Sequence, residues 1–391
     1  MQQNNSGRIG TRVLTNTVGE PVRAYIPKPL PPVPSLDLAR LLGRLDNANL
    51  ALGRLDGIAS ILPSTSLFVF MYVRKEALLS SQIEGTQSSL SDLLLFESDE
   101  LPLVPLEDVQ EVSSYIAAMN HGLARIGGGF PLSLRLIKEM HQILLSTGRG
   151  HSKQPGEFRS SQNWIGGTRP GNAIFVPPPP ERVLECMGAL ETFFHDHRTY
   201  PILIRAALAH VQFETIHPFL DGNGRLGRLL VTLLLCEGKA LTEPLLYLSL
   251  FLKTHRSRYY ELLQVVRDTG DWESWIEFFL DGVAETSEQG VATARRLQIL
   301  FQGDQAQIAK LGRAAPSALR IHTELHRTPL ISVPDAARRL GMSQPTLQKS
   351  LEHLIDLEIV REVTGKKRMR LYQYTRYLAI LDEGTEPLAL R

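Results

Sequence analysis

The amino-acid sequence predicts a mainly α-helical protein with a small β-hairpin in its middle and a separate small domain near its C-terminal end. Three observations predict this fold class. Apolar residues recur at helical spacing through most of the 391 residues. A stretch rich in glycine, proline, serine and asparagine interrupts the helical patterns at residues 150–180. A short pattern of two helices and two strands follows residue 317.

The composition narrows the class of protein. Hydrophobic residues make up 43% of the chain, which is typical of a protein that buries a core. The 42 basic and 41 acidic residues nearly cancel, so any surface that binds nucleic acid must be local. The two cysteines, Cys186 and Cys236, are too few for a disulfide scaffold or a four-cysteine zinc site, and we expect buried, unreactive thiols. No apolar run is long enough to span a membrane and no signal peptide is recognisable, so we expect a cytoplasmic protein.

The N-terminal part predicts an extended arm followed by helices. Residues 1–35 consist of a polar tail and the proline-rich segment Pro27–Pro34. Because proline fixes φ and removes a hydrogen-bond donor, we expect this arm to lie over the surface. In residues 36–105 the leucines recur at helical spacing in a first helix, and a second helix is expected to end at Gly85.

The central part, residues 106–300, predicts a helical bundle with one small hairpin. Two short β-type pieces lie at 163–165 and 173–176, and glycine, proline and asparagine residues suited to turns join them. Pro201 suits the first position of a helix, and the next helix begins near Gly224. We therefore expect a hairpin on an otherwise helical body.

The C-terminal part predicts a linker, a small domain and a tail. Residues 301–316 are expected to be the linker, residues 317–380 the domain and residues 381–391 the tail. In the domain, two short helices meet at the tight turn Gly341–Ser343, and two strands flank a basic turn at 364–368. This pattern resembles the winged helix-turn-helix fold in general rather than one family.

Two sets of residues in this domain are suited to contact DNA. A phosphate-contacting wing would use Lys366, Lys367, Arg368 and Arg370, and a helix in the major groove would present Gln344, Thr346, Gln348 and Lys349. The local excess of basic residues is modest. DNA binding and protein binding therefore both stay open for this domain.

The stretch His217–Arg228, with the sequence HPFLDGNGRLGR, is the most informative in the chain. Pro218 stops a helix, and Gly222 and Gly224 allow backbone angles that other residues adopt rarely. A new helix then begins, so several N–H donors gather at the positive end of its dipole. Such a nest is suited to phosphate.

The charged residues of the same stretch add chemistry to this nest. Arg225 and Arg228 are spaced i, i+3 and therefore lie on one face of the new helix. Asp221 can hold a divalent cation at the same phosphates, and His217 can take a proton near neutral pH. A corner between two helices with a capping aspartate and solvated arginines would explain a lone Gly-Asn-Gly turn. The whole pattern indicates a reaction centre for phosphate esters.

Residues His217–Arg228 resemble the Fic family motif, His-Pro-Phe-x-(Asp/Glu)-Gly-Asn-Gly-Arg-x-x-Arg, at every specified position. The resemblance extends over residues 35–300 and implies the Fic-type helical bundle with its hairpin flap. Fic proteins mostly transfer AMP from ATP to a hydroxyl of a target protein, so it also implies an adenylyltransferase that uses ATP and Mg²⁺. Three alternatives stay open: removal of AMP from a modified protein, use of another nucleotide, and a transcription regulator that senses nucleotide.

The resemblance also implies roles for single residues. His217 would be the general base for a Ser, Thr or Tyr hydroxyl, Phe219 would anchor the loop in the core, and Asp221 would bind magnesium. The expected ATP-binding residues are Gly222, Asn223, Gly224, Arg225, Leu226, Gly227 and Arg228, with Gln212, Tyr259 and Tyr260 as further candidates. Arg225 would contact the β-phosphate side and Arg228 the γ-phosphate. For the last three candidates, ordinary packing is the alternative.

The segment Ser80–Gly85, SSQIEG, resembles the inhibitory pattern of the family, (Ser/Thr)-x-x-x-Glu-(Gly/Asn). A glutamate in the last turn of a helix faces the negative end of the dipole, so a cationic partner would stabilise it. We expect Arg228 to be that partner for Glu84. Their pair would occupy the place of the γ-phosphate and leave ATP in a non-productive pose, as in the second of the three Fic classes. The substrate would be a protein with an exposed hydroxyl, including the chain itself, and a homodimer stays open.

Overall fold

The computed structural model describes residues 5–59, 65–98, 102, 104–148, 150–365 and 370–387. Helices dominate this part of the chain, as predicted. The elements of the N-terminal part and the core are β1 (Thr11–Thr17), β2 (Glu20–Ile26), α1 (Leu38–Ala59), α2 (Thr65–Ile83), α3 (Leu90–Glu97), α4 (Leu106–Gly127), α5 (Leu134–Leu144), α6 (Pro180–Phe194), α7 (Ile202–Ile216), α8 (Asn223–Glu237), α9 (Ser249–Thr254), α10 (Arg256–Thr269) and α11 (Trp272–Ala309). The C-terminal elements are α12 (Ala315–Arg327), β3 (Leu330–Ser332), α13 (Val333–Leu340), α14 (Gln344–Asp356), β4 (Arg361–Glu362), β5 (Leu371–Gln373) and α15 (Thr375–Asp382).

The central helices α7 and α8 position the motif at the middle of the body. Residues 203–216 of α7 are all buried, because α8, α6, α10 and α11 pack around it. This burial explains why α7 is apolar on nearly every side instead of amphipathic. α8 follows directly and packs against α7 and α4, so the loop between them lies where several helices meet.

The N-terminal residues are not a plain extended arm, which corrects the prediction for residues 1–35. β1 and β2 form an antiparallel hairpin whose turn residues, Val18 and Gly19, both have positive φ. The proline-rich segment after it lacks helix and strand. The hairpin escaped the sequence pattern because β1 is largely exposed and shows no clear alternation of apolar residues.

The predicted flap at 163–176 is reduced to one pair of residues. Ile165 and Phe175 form an antiparallel bridge, and Gly166 and Gly167 turn the chain at positive φ. The N–H of Tyr25 in β2 donates to the carbonyl of Val176 at 2.9 Å. The N-terminal hairpin therefore lies beside the flap and supports it.

The segment 301–316 is not an irregular linker, which corrects that prediction as well. α11 continues to Ala309, and Phe301, Asp304 and Ile308 on one of its faces are buried. The carboxylate of Asp304 accepts a hydrogen bond from the Tyr374 hydroxyl at 2.5 Å. The polar composition suggested a linker, but the stripe at helical spacing continues and serves as the base of the C-terminal domain.

The C-terminal domain has the helices and strands of a winged helix. Its antiparallel sheet has the order β3-β5-β4, and β3 was not predicted. Ser332 caps α13 as predicted, because its hydroxyl accepts from the N–H of Asp335. Lys366, Lys367 and Arg368 of the predicted wing lie outside the described residues.

The end of the chain crosses back to the body. Residues 383–386, which we name the C-terminal strap, pass over α2. The Nζ of Lys75 donates to the carbonyl of Glu383 at 2.8 Å, and the side-chain amide of Gln82 donates to the carbonyl of Thr385 at 2.8 Å. Lys253 contacts the carbonyls of Gly384 and Glu386. The predicted tail is thus partly a packed segment.

Across the helices that the structure describes, none combines the length and the apolar composition that a bilayer-crossing segment needs.

Candidate active site

The loop between α7 and α8 places a histidine and a helix N-terminus side by side. α7 ends at Ile216, and His217 adopts a left-handed conformation with φ 49°. Gly222 is also left-handed, with φ 75°, and α8 begins at Asn223. The N–H groups of the first turn of α8 have no acceptor within the helix and face the positive end of its dipole. The geometry is therefore that of the predicted anion nest.

Buried contacts hold this loop in shape. Phe219 is fully buried, as predicted, and its ring stacks on that of His141 at 3.7 Å between centroids. The side-chain amide of Asn223 accepts from the N–H of Phe219 and donates to its carbonyl, both at 2.9 Å. Asn223 therefore shapes the loop with its side chain and offers the nest only its backbone N–H.

The side chain of His141 forms a hydrogen bond to the backbone of Asp221, the candidate metal ligand. Its Nδ1 accepts from the N–H of Gly156 at 2.8 Å, so Nε2 carries the proton and donates to the carbonyl of Asp221 at 3.0 Å. Burial lowers the pKa of His141 to about 4, which keeps this ring neutral at physiological pH.

Arg159 connects the histidine loop to the end of the flap. Its backbone N–H donates to the carbonyl of Pro218 at 2.9 Å, and its Nε donates to the carbonyl of His217, also at 2.9 Å. Its Nη2 donates to the carbonyl of Pro178 at 2.5 Å. A single buried guanidinium thereby fixes the unusual backbone of His217 relative to the flap.

His217 is partly buried and neutral. Burial, with the nearby charges of Arg267 and Arg159, lowers its pKa to about 3. Its Nδ1 is buried and has no hydrogen-bond partner among the described residues. The ring faces the same pocket as the nest, which is lined by Glu84, Glu111, His217, Leu220, Asp221, Gly222, Asn223, Gly224 and Arg225.

Asp221 presents a carboxylate at the rim of this pocket. Its side chain is 41% exposed, and its Oδ1 accepts from the N–H of Gly222 at 2.6 Å. A carboxylate beside an anion nest is an oxygen ligand of the kind that Mg²⁺ prefers when it also binds phosphates. The residues present therefore fit a magnesium ion shared with a nucleotide.

Arg228 is buried and makes three hydrogen bonds to the end of α2. Its Nε donates to the Ser80 hydroxyl at 2.8 Å, and its Nη2 donates to the Ser80 carbonyl at 2.9 Å and to Glu84 Oε1 at 2.7 Å. The predicted Glu84–Arg228 pair is thus present. Burial alone would raise the pKa of Glu84, but the charge and hydrogen bond of Arg228 outweigh it and hold that pKa below its usual value.

Gly224 makes room for this glutamate. A Cβ at Gly224 would collide with Glu84 Oε1. The carboxylate can therefore lie against the N-terminus of α8, where a negative charge is favoured. The predicted inhibitory glutamate occupies part of the nest in which phosphate is expected.

Arg225 is paired with an acid that the sequence did not point to. Its Nη1 lies 3.1 Å from Glu111 Oε2 of α4, and both side chains are almost fully buried. Its Nη2 lies 3.7 Å from Asp221 Oδ1. The one available signal was an acidic residue on the apolar face of α4, between Val109 and Val112. Ser80 as a direct partner of Arg228, and the holding roles of His141 and Arg159, were also not foreseen.

Several predicted nucleotide contacts do not line the pocket. Leu226 is fully buried and its N–H donates to the carbonyl of Gly222, and a Cβ at Gly227 would collide with Glu214 on α7. Tyr259 is buried, with its hydroxyl 2.9 Å from Nε2 of His210. The side chains of Leu226 and Tyr259 and the Cα of Gly227 therefore serve packing in this conformation.

The two other candidates lie nearer the surface or are already engaged. The side-chain amide of Gln212 is buried and donates to the carbonyl of Lys28 at 2.8 Å. Tyr260 keeps 41% of its surface exposed. Tyr260 is therefore the member of the tyrosine pair that can reach a ligand without repacking.

Comparison with known families agrees with this site. Residues 42–124 match the family described as Fic/DOC family N-terminal, and residues 131–235 match the Fic/DOC family. Residues 42–124 and 131–235 therefore carry a Fic N-terminal domain and a Fic domain. The second match covers the flap, the histidine loop and most of α8, whereas the first covers the helices that bring Glu84 and Glu111 to the site.

Similar proteins support the same family. The Fic-domain protein is 34% identical over 158 residues to a protein adenylyltransferase Fic of Aedes aegypti, a match that covers 40% of this chain and 28% of that one. It is 31% identical over 184 residues to a protein adenylyltransferase Fic of Drosophila virilis, covering 46% and 34%. The chain therefore spans about a third of the length of these relatives.

A solved structure shares most of the fold. A Fic family protein from Desulfovibrio desulfuricans G20 aligns with a TM-score of 0.59 and 20% identity, over 89% of this chain and 98% of that one. At this identity the similarity concerns the fold alone.

Proposed function

We propose that this Fic-domain protein is a self-inhibited protein adenylyltransferase, which transfers AMP from ATP to a hydroxyl side chain of a target protein. One observation carries the proposal. A neutral histidine, an anion nest and a metal-ligand carboxylate share one pocket, whose neighbouring arginine is held by a glutamate. The similarity to proteins named protein adenylyltransferase Fic supports the same reaction.

The residues of the pocket suit a single in-line displacement at the α-phosphorus. The oxygen of the target hydroxyl forms a bond to this phosphorus, the bond to the bridging oxygen breaks, and pyrophosphate leaves. His217 accepts the hydroxyl proton. The first-turn N–H groups of α8, with Arg225 and Arg228, bind the phosphate oxygens. Asp221 would hold a magnesium ion, which neutralises phosphate charge when bound.

The low pKa of His217 fits this role once nucleotide is present. In the free protein, burial and the charges of Arg267 and Arg159 keep the ring neutral and ready to accept a proton. A nearby triphosphate adds negative charge, which favours the protonated ring and raises its pKa toward the working pH. The base is therefore a better proton acceptor in the complex than in the free chain.

The flap is suited to hold the target. It contains one bridged pair of residues, and Ile174 at its edge is 72% exposed. An extended segment of a target can add to such an edge through main-chain hydrogen bonds, which places a side-chain hydroxyl over the pocket. The bond from Arg159 to Pro178 would keep this edge at a constant distance from His217.

Inhibition follows from the contact between Glu84 and Arg228. The carboxylate takes the donors that a γ-phosphate needs and lies against Gly224 at the nest. ATP would then bind with its γ-phosphate turned away and its α-phosphorus misaligned. The enzyme would be almost silent until this contact opens.

Labelled nucleotides test the reaction. Glu84→Gly protein, incubated with a hydroxyl-rich protein mixture and magnesium, should label protein from ATP carrying the label at the α-phosphate and not from ATP labelled at the γ-phosphate. The double variant Glu84→Gly with His217→Ala is the control. Labelling from the γ-phosphate would show phosphoryl transfer instead, and faster release of AMP from a modified protein than its attachment would favour the reverse activity.

The two cysteines bear on the cellular compartment of the protein. We place the enzyme in the cytoplasm, because burial raises the pKa of Cys186 to about 11 and of Cys236 to about 12, which leaves two unreactive free thiols suited to a reducing compartment.

We also propose that the winged helix binds DNA. Gln344, Thr346 and Lys349 are exposed on α14, whereas Gln348 is held by the Tyr372 hydroxyl at 3.2 Å. A gel shift with random duplex over a salt series should show binding that weakens with salt, and Lys349→Ala should weaken it further while leaving the melting temperature unchanged. The full-length chain failing to shift any duplex would favour a protein partner.

A further inference from the structure

Glu111 stands out as a buried acid in the pocket to which the reaction described above gives no role. It lies on α4, far from the motif in sequence, and lines the pocket together with His217, Asp221 and Gly224. Its carboxylate meets the guanidinium of Arg225, with side-chain exposures of 6% and 5%. Burying two charges is costly unless the geometry of the pair is good and further hydrogen bonds satisfy both groups. The contacts around this pair indicate what it does in the pocket.

The bond to Glu111 leaves the other donors of Arg225 available. Glu111 Oε2 occupies Nη1, whereas the buried Nε has no hydrogen-bond partner among the described residues. The nest is formed by the same turn of α8 that carries Arg225. An anion in the nest would therefore meet a guanidinium that is already oriented and still has N–H groups to donate.

Asp221 provides the reason why Arg225 needs to be held. Its Oδ1 is 3.7 Å from Nη2 of Arg225, slightly beyond a hydrogen bond. Without Glu111, a buried guanidinium would turn to the nearest carboxylate, which is the expected metal ligand. Asp221 would then be neutralised by arginine, and Arg225 would be lost to the phosphate.

Packing fixes Glu111 itself in one position. Gly148 lies so close that a Cβ there would stand 2.9 Å from Glu111 Cγ. The segment that carries Gly148 is tied to α4 by a hydrogen bond of 2.8 Å between the hydroxyls of Ser114 and Thr147. The segment around Gly148 therefore limits the movement of the Glu111 side chain, whose carboxylate faces Arg225.

We propose that Glu111 is a positioning residue of the nucleotide site, which orients Arg225 toward the β-phosphate and keeps it from closing on Asp221. The inference rests on the proposed function, because it deepens the role of the same site. It makes a specific claim about the nucleotide: Glu111 matters for ligands that carry a β-phosphate and little for those that lack one.

Binding of ADP and AMP tests this claim without any transfer reaction. In Glu111→Ala, the affinity for ADP should fall by roughly ten- to hundredfold, because the charge-assisted bond from Arg225 is lost, while the affinity for AMP should change little. Glu111→Gln retains an oxygen that accepts from Arg225, so it should recover part of the ratio of ADP to AMP affinity. The half-saturating magnesium concentration for ADP binding should rise in Glu111→Ala.

Glu273→Ala is the matched control. Glu273 forms a similarly buried pair with Arg8, at 2.6 Å and with side-chain exposures of 5% and 0%, but it does not line the pocket. Its loss should lower stability and leave the ratio of ADP to AMP affinity unchanged. Thermal melts of all variants separate loss of folding from loss of binding.

One result would overturn the inference: an unchanged ratio of ADP to AMP affinity in folded Glu111→Ala, and if both affinities fell by the same factor, the role of Glu111 would be structural. Should Glu111→Ala fail to fold, Glu111→Asp keeps the charge and withdraws the carboxylate by one methylene, and an unchanged ratio in that variant would be equally decisive. Failure of the proposed function would give a different result. The wild-type chain would then fail to bind both ADP and AMP, or it would transfer no AMP.

Discussion

The ion pairs at the pocket of the helical body, residues 36–309, differ from a surface ion pair of the C-terminal module, residues 315–387. In the body, Arg228 and Arg225 are buried and pair with acids more than a hundred residues earlier in the chain. In the module, the pair of Arg338 with Asp335 is three residues apart in sequence, and its side chains are 78% and 56% exposed.

This difference shows where a substitution acts. Removing one partner of a buried pair leaves an uncompensated charge and costs about 3–5 kcal/mol, whereas an exposed pair contributes roughly 0–1 kcal/mol. Changes at the active site therefore alter function and stability together. Changes on the exposed face of the module should leave its fold intact.

The largest effect is expected at His217. His217→Ala should reduce AMP transfer by at least about a hundredfold, because the imidazole is the group expected to accept the hydroxyl proton. Nucleotide binding, measured by calorimetry, should remain. His217→Asn is a useful second variant, since asparagine tolerates the left-handed backbone at this position. Transfer at a near wild-type rate in either variant would remove His217 from the role of base.

The second effect concerns the long-range pair of the body. Glu84→Gly should raise transfer by about a hundredfold, because Arg228 is then available for the γ-phosphate and the α-phosphorus regains its in-line position. The measurement is self-labelling at saturating ATP and magnesium. Arg228→Ala added to Glu84→Gly should abolish the gain, since both changes act on one contact. A rate no higher than that of wild type in folded Glu84→Gly would contradict the inhibitory role.

The C-terminal strap joins the C-terminal module to α2 of the helical body. Lys253 is buried and its Nζ donates to Gln82 Oε1 at 2.7 Å and contacts the strap. Gln82 is two residues before Glu84, so Lys253→Ala should loosen the inhibitory end of α2 and raise transfer by roughly fivefold.

Arg296→Ala is the control for the strap. Arg296 pairs with Glu383 of the same segment at 2.6 Å, but both side chains are about half exposed. It should change transfer very little. Equal rates in wild type and Lys253→Ala would show that the strap only packs against α2 and does not help to hold Glu84.

The smallest effect is a pH dependence of stability that both regions share. Burial lowers the pKa of five histidines: His141, His210 and His322 to about 4, and His217 and His326 to about 3. Below about pH 6.5 the unfolded chain binds protons at these sites and the folded chain does not. The free energy of unfolding therefore falls as the pH is lowered. Three acids act in the opposite direction, because burial raises the pKa of Glu76 and Glu214 to about 7 and of Asp382 to about 6.

The histidines outnumber these acids by two, so the free energy of unfolding should fall as the pH is lowered from 6 to 5. Denaturant unfolding at pH 7, 6 and 5 measures this. His326→Phe keeps a ring against Phe301, where the present rings stack at 3.7 Å, and should flatten the dependence. A stability that rises on acidification would mean that the acids dominate.

Much of the fold was predictable because its signals are local. The helices of the core, the cap at Ser332 and the turn at the motif depend on neighbouring residues, and the structure agrees within a few residues. The errors arose where a tertiary contact decided the conformation. The β1–β2 hairpin is held against the flap by the hydrogen bond from Tyr25 to Val176. α11 continues past residue 301 because Asp304 and Phe301 pack against the C-terminal module.

By itself, the sequence predicted the anion nest, because a helix end, the left-handed Gly222 and a helix start follow one another within twelve residues. It also carried the glutamate pattern of Ser80–Gly85. Tertiary structure alone decided that Glu111 neutralises Arg225, that Arg159 and His141 hold the loop, and that Leu226, Gly227 and Tyr259 face the core. The reason is physical: local angles follow from adjacent residues, whereas the partner of a buried charge depends on which distant helix packs beside it.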